Sequence, residues 1–248
     1  MTLPDVGEEA ARWVPLPWDT NHFGISIGRL LPTSVSDDEL MNAIRTAEAA
    51  GIRCLYWLSD PDASQVAMGE RAGFKVVDIR VELIASVRAG TPNRNEAASI
   101  REAGKSDLGQ LKSLAARSHR NTRFYTDGSF PIDRTDELYG AWIEKSFQDP
   151  TQQVLASGPS GAPSGYIAFG VSTEGNGVIG LVAVEETERG TGVGSALVSA
   201  AMHRLAGQGI DHVTVVTQGD NSAAHRLYNA LGFSERNRFV WLHRWFEA

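Results

Sequence analysis

The sequence predicts an α+β fold built on a mixed, mainly antiparallel central sheet, and three observations carry that prediction. Three apolar runs, 153–157, 165–171 and 178–184, follow one another across short turn-rich loops, the pattern of an antiparallel meander. A glycine-rich turn then leads into a long stretch of helical period, followed by a strand, a short helix and a last strand. The first 90 residues form a smaller α/β half of alternating apolar strands and helices, set off by a stretch without periodicity.

Taken in order, the opening Met1-Thr2-Leu3-Pro4-Asp5-Val6 has no basic stretch leading into an apolar one, so it does not read as a signal peptide. Ser36 or Asp37 caps a helix carrying Leu40, Ile44 and Ala47, which ends near Gly51. A strand over 52–58, a turn at Ser59-Asp60-Pro61-Asp62, a short helix to Ala72 and a strand over 76–87 follow. Residues 88–96, rich in Gly, Pro and Asn, read as a linker, which divides the chain into 1–92 and 93–248. Beyond it come a short strand at 99–103 and a helix capped by Asp107 with Leu108, Leu111 and Leu114 or Ala115 on one face. A polar loop from 118 to 128 and a helix over 136–147, striped by Leu138, Trp142 and Ile143, lead into the meander.

Bulk properties narrow the function classes. With 23 basic and 30 acidic residues the net charge is −7, which argues against broad, phosphate-driven nucleic-acid binding. No apolar run reaches the length of a membrane span, so a cytoplasmic protein without membrane partners is expected. Cys54 is the single cysteine, which excludes an intramolecular disulfide and a cysteine-based metal cluster. The six histidines show no metal-ligand spacing, and no Gly-x-Ser-x-Gly elbow is present, so no metal and no serine nucleophile are expected.

Two segments carry the chemistry. Arg189-Gly190-Thr191-Gly192-Val193-Gly194 joins a strand to a helix bearing Val193, Leu197 and Leu205. Glycines there let the backbone approach a ligand, and the free amides of the first helical turn suit a pyrophosphate. A plain strand-to-helix turn would look the same. No Lys-Ser/Thr pair follows for a nucleotide P-loop, and a dinucleotide fold would put this turn after the first parallel strand. In the second segment, Asn221, Ala224 and Tyr228 share one face of a short helix that ends at Gly232-Phe233. Alone, Asn221 reads as a cap and Tyr228 as a packed aromatic; their position one strand after the glycine loop favours a site.

Together, Arg189-x-x-Gly192-x-Gly194 and Asn221-x-x-Ala224-x-x-x-Tyr228-x-x-x-Gly232-Phe233 resemble the two motifs of the GCN5-related N-acetyltransferase (GNAT) superfamily, over roughly 98–248. The resemblance implies acetyl-coenzyme A as co-substrate. The backbone of Leu181, Val182, Ala183 and Val184 would pair with its pantetheine arm, and the amides of Arg189, Gly190, Thr191, Gly192, Val193 and Gly194 would hold its pyrophosphate. Asn221 and Ala224 would line the arm, and Tyr228 would protonate the leaving thiolate as a neutral amine attacks directly. The base that takes the amine proton is left among His119, Glu144 and Glu185.

Setting Gly73-Phe74 over Gly232-Phe233 aligns strand, helix and strand in both halves at an offset of 159. Asp62 and Gly69 then replace Asn221 and Tyr228, so the first half reads as a degenerate repeat of the fold, a substrate wall without a cofactor site. The segments Leu16-Pro17-Trp18-Asp19-Thr20-Asn21-His22-Phe23-Gly24, Phe124-Tyr125-Thr126-Asp127 and 139–146 resemble a branch of the superfamily that acetylates the 4-amino group of a dTDP-4-amino-4,6-dideoxy sugar. On that resemblance the acceptor partner is a nucleotide-linked amino sugar. Arg120 and Arg123 would meet its pyrophosphate, and Trp18, Phe23 or Tyr125 would stack on thymine or the sugar. Alternatives are a protein or peptide N-terminal acetyltransferase, an antibiotic or polyamine acetyltransferase, and a non-catalytic acyl-CoA sensor. A homodimer stays open.

Overall fold

The computed structural model describes residues 13–87 and 99–247. In chain order the elements begin β1 (Trp13–Pro15), α1 (Pro17–Phe23), β2 (Ile27–Leu30), α2 (Asp37–Ala49), β3 (Cys54–Ser59), α3 (Ala63–Arg71) and β4 (Lys75–Ser86). They continue β5 (Ile100–Glu102), α4 (Leu108–Ser118), α5 (Arg123–Asp127), α6 (Ile132–Gln148), β6 (Gln152–Ser157), β7 (Gly165–Val171) and β8 (Gly177–Val184). The chain closes with α7 (Val193–Gly207), β9 (His212–Gln218), α8 (Ser222–Ala230) and β10 (Ser234–Trp245). Two compact units result, each discontinuous in sequence: residues 1–80, 123–131 and 238–248, and residues 81–122 and 132–237. The amino-terminal segment, the expected linker at 88–96 and the boundary at 92 lie outside the described residues.

In the first unit β1 and β2 pair antiparallel, β2 and β3 parallel, and β3 takes β10 as an antiparallel neighbour with Tyr56 opposite His243. Helix α2 presents Leu40, Ile44 and Ala47 to a core with Leu55, Trp57, Phe74 and Leu242. The larger of these, such as Leu40 and Ile44, contribute about 1.5–3 kcal/mol each on burial. Ser36 caps this helix in a reciprocal box with Glu39. Helix α1 was not expected. Pro17 opens it at a position where the missing N–H costs nothing, and Gly24 at φ 71° closes it.

The second unit holds the expected meander: β5–β6, β6–β7 and β7–β8 pair antiparallel, and β8 pairs parallel with β9. Beside β9 lies β4, whose Val81, Leu83 and Ala85 join one core with Ile167, Phe169, Leu197, Leu205 and Val213. Two local expectations need correction. Asp107 stands before α4, but its side chain does not cap the helix. Its fully buried carboxylate takes both Arg101 guanidinium nitrogens at 2.7 and 2.8 Å and the amides of Gly104 and Gly161 at 2.7 and 2.8 Å. The guanidinium holds its pKa well below the usual carboxylate range. The polar loop at 118–128 contains α5, because Phe124 and Asp127 are buried and anchor a helical turn.

One helix–turn–strand segment recurs in both halves. A constant offset of 159 carries the ends of α3 onto those of α8 and the ends of β4 onto those of β10. The helix ends match bond for bond: Phe74 N–H donates to the Gly69 carbonyl at 2.9 Å, and Phe233 N–H to that of Tyr228 at 3.0 Å. Gly73 and Gly232 adopt φ 82° and 88°. Where the second copy carries a phenol, the first has no room for a side chain: a Cβ on Gly69 would lie 2.9 Å from Leu242 and 3.0 Å from Trp57.

Candidate functional site

The site begins with a strand that stops pairing. β8 and β9 are in register only from Gly177↔Val213 to Ile179↔Val215, although β8 runs on to Val184 and β9 to Gln218. On its other side β8 stays paired with β7, Leu181 to Val184 facing Ala168 to Gly165, with a bulge that leaves Gly180 unmatched. A bulge bends a strand and increases its twist, which accounts for the separation from β9. Past Gly180 the edge of β8 facing β9 has no strand partner among the described residues, and its N–H and C=O groups are suited to an extended, amide-bearing ligand. A glycine inside an apolar strand is the sequence signal for this bulge, and the sequence reading passed over it.

The glycine loop closes one end of that cleft. Gly190 and Gly192 take φ 80° and 97°, which a side chain would strain. Helix α7 has no side-chain cap. Its first ladder bond runs from Ala196 N–H to the Gly192 carbonyl at 2.9 Å, so Val193, Gly194 and Ser195 amides have no intrahelical acceptor. Arg189 donates from Nε to the Val184 carbonyl at 3.3 Å, tying the loop to the strand end. In the first half the equivalent helix, α2, opens on Asp37, Asp38 and Glu39 behind a closed capping box. Three carboxylates repel an anion where the glycine loop would attract one.

Helix α8 supplies the remaining wall. A Cβ on Gly194 would lie 3.5 Å from Leu227 and 3.7 Å from Val184, so α7, α8 and the end of β8 converge there. Asn221 caps α8 through its side-chain oxygen, which accepts from Ala224 N–H at 3.1 Å. Tyr228 is 5% exposed, with Phe233 edge-on at 5.4 Å. Burial pushes its pKa above the ordinary phenol value, and its hydroxyl makes no hydrogen bond among the described residues. The phenol is thus held neutral and buried, able to donate one hydrogen bond.

Of the groups considered as base, Glu144 is ion-paired with Lys112 and Glu185 with Arg117, both at 2.6 Å. His119 carries no ion pair; its Nε2 lies 3.2 Å from the Tyr166 hydroxyl, and burial lowers its pKa to about 4. Arg120 is exposed and paired with Asp136 at 3.3 Å. The other residues expected at the acceptor belong to the first unit. Trp18 stacks on His22 at 5.1 Å, and Tyr125 is half-buried. Phe23, 3% exposed, packs against Phe124 and Phe130, which accounts for its ring without a ligand. Arg123 lies over the rings of Tyr56, Phe124 and Trp241 and donates to His243 Nε2 at 2.7 Å. His243 in turn donates from Nδ1 to Asp127. That network engages the guanidinium within its own unit. Sequence reasoning missed Tyr166, which no motif marks.

Among the described residues no group of three or more His, Cys, Asp or Glu could hold a metal ion, and no helix is long and apolar enough to cross a membrane. Residues 115–233 match the model of the acetyltransferase (GNAT) family. Over 232 residues the chain is 24% identical to the dTDP-fucosamine acetyltransferase of Escherichia coli O6:H1, covering 93% of this chain and 96% of that one. It is 35% identical over 112 residues to N-alpha-acetyltransferase 30 of Saccharomyces cerevisiae, covering 41% of this chain and 64% of that one. The fold is that of a GCN5-related N-acetyltransferase from Sphaerobacter thermophilus. The TM-score is 0.67 at 14% identity, over 95% of this chain and 76% of that one.

Proposed function

We propose that this chain, whose residues 115–233 match the model of the acetyltransferase (GNAT) family, acetylates the 4-amino group of a dTDP-4-amino-4,6-dideoxy sugar. Its general chemistry is that of the family, N-acetyl transfer from acetyl-CoA. The observation that supports a working cofactor site is the unpaired edge of β8 past Gly180, meeting the uncapped amides of α7 at Gly194. In our reading Leu181, Val182, Ala183 and Val184 pair with the pantetheine amides. Arg189, Gly190, Thr191, Gly192, Val193 and Gly194 receive the pyrophosphate, and Asn221 and Ala224 border the arm. Tyr228 gives its hydroxyl proton to the leaving sulfur as the amine nitrogen bonds to the acetyl carbon. An uncharged nitrogen must attack, so rate rises with pH until the acceptor amine is deprotonated.

The nucleotide-sugar acceptor is supported by the relative that aligns over nearly the whole of both chains, including the first half. Arg120 is the exposed guanidinium of the second unit that we assign to the nucleotide pyrophosphate, in exchange for Asp136. Trp18 and Tyr125, each half-buried in the first unit, are the rings that the sequence resemblance assigns to a base or sugar. A second reading, acetylation of a peptide amino terminus, is favoured by the similarity to N-alpha-acetyltransferase 30, which aligns with 41% of this chain. Thiol release from acetyl-CoA with dTDP-4-amino-4,6-dideoxygalactose, set against short peptides and spermidine, decides between them. Turnover of peptides alone rejects the sugar reading.

A further inference from the structure

Past the point where β8 and β9 separate, both strand ends are held by one short segment. Glu185, directly after β8, accepts from Arg117 at 2.6 Å. Asp220, two residues after β9, accepts from Asn121 Nδ2 at 3.0 Å. Residues 117–121 are therefore pinned to both lips of the cleft, and His119 is the middle residue of that clasp. Its N–H closes α4 on the Ala115 carbonyl at 3.3 Å, and its ring stacks on Tyr139 at 4.6 Å.

The imidazole is oriented from below by a buried phenol. Tyr166 is 0% exposed on β7, in register with Ala183 of the open strand, and His119 Nε2 at 3.2 Å is its hydroxyl's hydrogen-bond partner. A buried O–H leaves a costly unsatisfied donor unless it donates to that nitrogen. Nε2 therefore accepts, and the single ring proton sits on Nδ1. Nδ1 makes no hydrogen bond among the described residues. The result is an uncharged donor on the segment pinned to the two lips, which does not repel a cationic amine as a lysine or arginine would.

We propose that His119 is a specificity-determining residue, donating from Nδ1–H to an oxygen of the acceptor molecule, a hydroxyl or carbonyl near its amine. This rests on the transferase reading above and adds what kind of amine is taken: an amine bearing a nearby oxygen is preferred over a plain alkyl polyamine. Tyr166 is a positioning residue that acts through the imidazole.

The test compares His119→Asn, whose amide N–H₂ takes the place of Nδ1–H, with His119→Gln, whose amide reaches the place of Nε2 and the Tyr166 hydroxyl. The acceptor is whichever member of the sugar, peptide and spermidine panel the wild type turns over best. One neutral hydrogen bond corresponds to a change of ~3–10-fold. Gln is expected to raise the acceptor KM by about that factor, with the acetyl-CoA KM and the melting temperature unchanged, while Asn stays near wild type. The inference is overturned if Gln behaves as wild type, if Asn is as poor as Gln, or if spermidine is the best acceptor and is unaffected. A peptide as best acceptor rejects the sugar reading alone and leaves this comparison intact.

Discussion

Replacing Tyr228 by Phe removes one oxygen from the site and little else. The ring keeps its place in the core of the second unit and its edge-on contact with Phe233 at 5.4 Å. The lost hydroxyl makes no hydrogen bond among the described residues, so folding forfeits none, and the stability change should stay within ~0.5 kcal/mol. Catalysis should respond very differently. Donation by a placed acid contributes about 10²–10⁴ in rate, or ~2.7–5.5 kcal/mol of barrier. Because burial raises the phenol's pKa, the donor stays protonated across neutral and mildly alkaline pH, and the wild-type profile should show no loss of activity below the ordinary phenol value near 10. The assay is thiol release at saturating acetyl-CoA, with calorimetric CoA affinity and a thermal melt alongside. A kcat within twofold of wild type would refute the assignment. A lower kcat with a matching loss of CoA affinity or of melting temperature would assign Tyr228 a packing role.

Three further outcomes are expected. Gly192→Val puts a β-branched side chain at φ 97° at a cost of ~1–2 kcal/mol, and CoA affinity should fall at least tenfold by calorimetry while the acceptor KM is unchanged at saturating acetyl-CoA. Asp107→Asn weakens the paired hydrogen bonds to Arg101 and should destabilise the fold by about 1–3 kcal/mol in urea titrations. The folded pKa of Asp107 is depressed, so this stabilisation is complete above the ordinary aspartate value near 4 and lost as pH falls below it; the gap between wild type and variant should close in acid. A chain of residues 93–248 lacks Val81, Leu83 and Ala85 of the second unit's core, of which Val81 and Leu83 are each worth up to ~3 kcal/mol of burial. It should give no cooperative melt as a monomer; a sharp transition would contradict the role assigned to β4.

What was readable in the sequence follows from the range of each signal. Gly192, Gly194, Gly232 and the apolar run 165–171 with its turn-rich flanks report local backbone demands, so the glycine loop, the meander and α8 were placed within a residue or two. The offset of 159 was readable because Gly-Phe marks one helix end in both halves. The rest depends on partners remote in sequence. Asp107 looks like a cap until Arg101 and the 158–161 loop fold onto it. Arg123 sits in a polar string, yet besides its neighbour Phe124 it lies over Tyr56 of β3 and over Trp241, more than a hundred residues away. Tyr166 reads as one more strand aromatic until His119 is seen against it.

The central claim is that the open edge of β8 and the α7 amides hold acetyl-CoA for transfer to a nucleotide-linked amine. Steady-state thiol release with acetyl-CoA and dTDP-4-amino-4,6-dideoxygalactose measures it directly, with the N-acetylated sugar identified by mass. The account predicts saturable turnover with this acceptor at a kcat/KM at least a hundredfold, on the order of 10², above that for peptides or spermidine, the gap of a site that hydrogen-bonds its substrate. Equal or better turnover of those amines contradicts the acceptor, and acetyl-CoA that fails to bind contradicts the site itself.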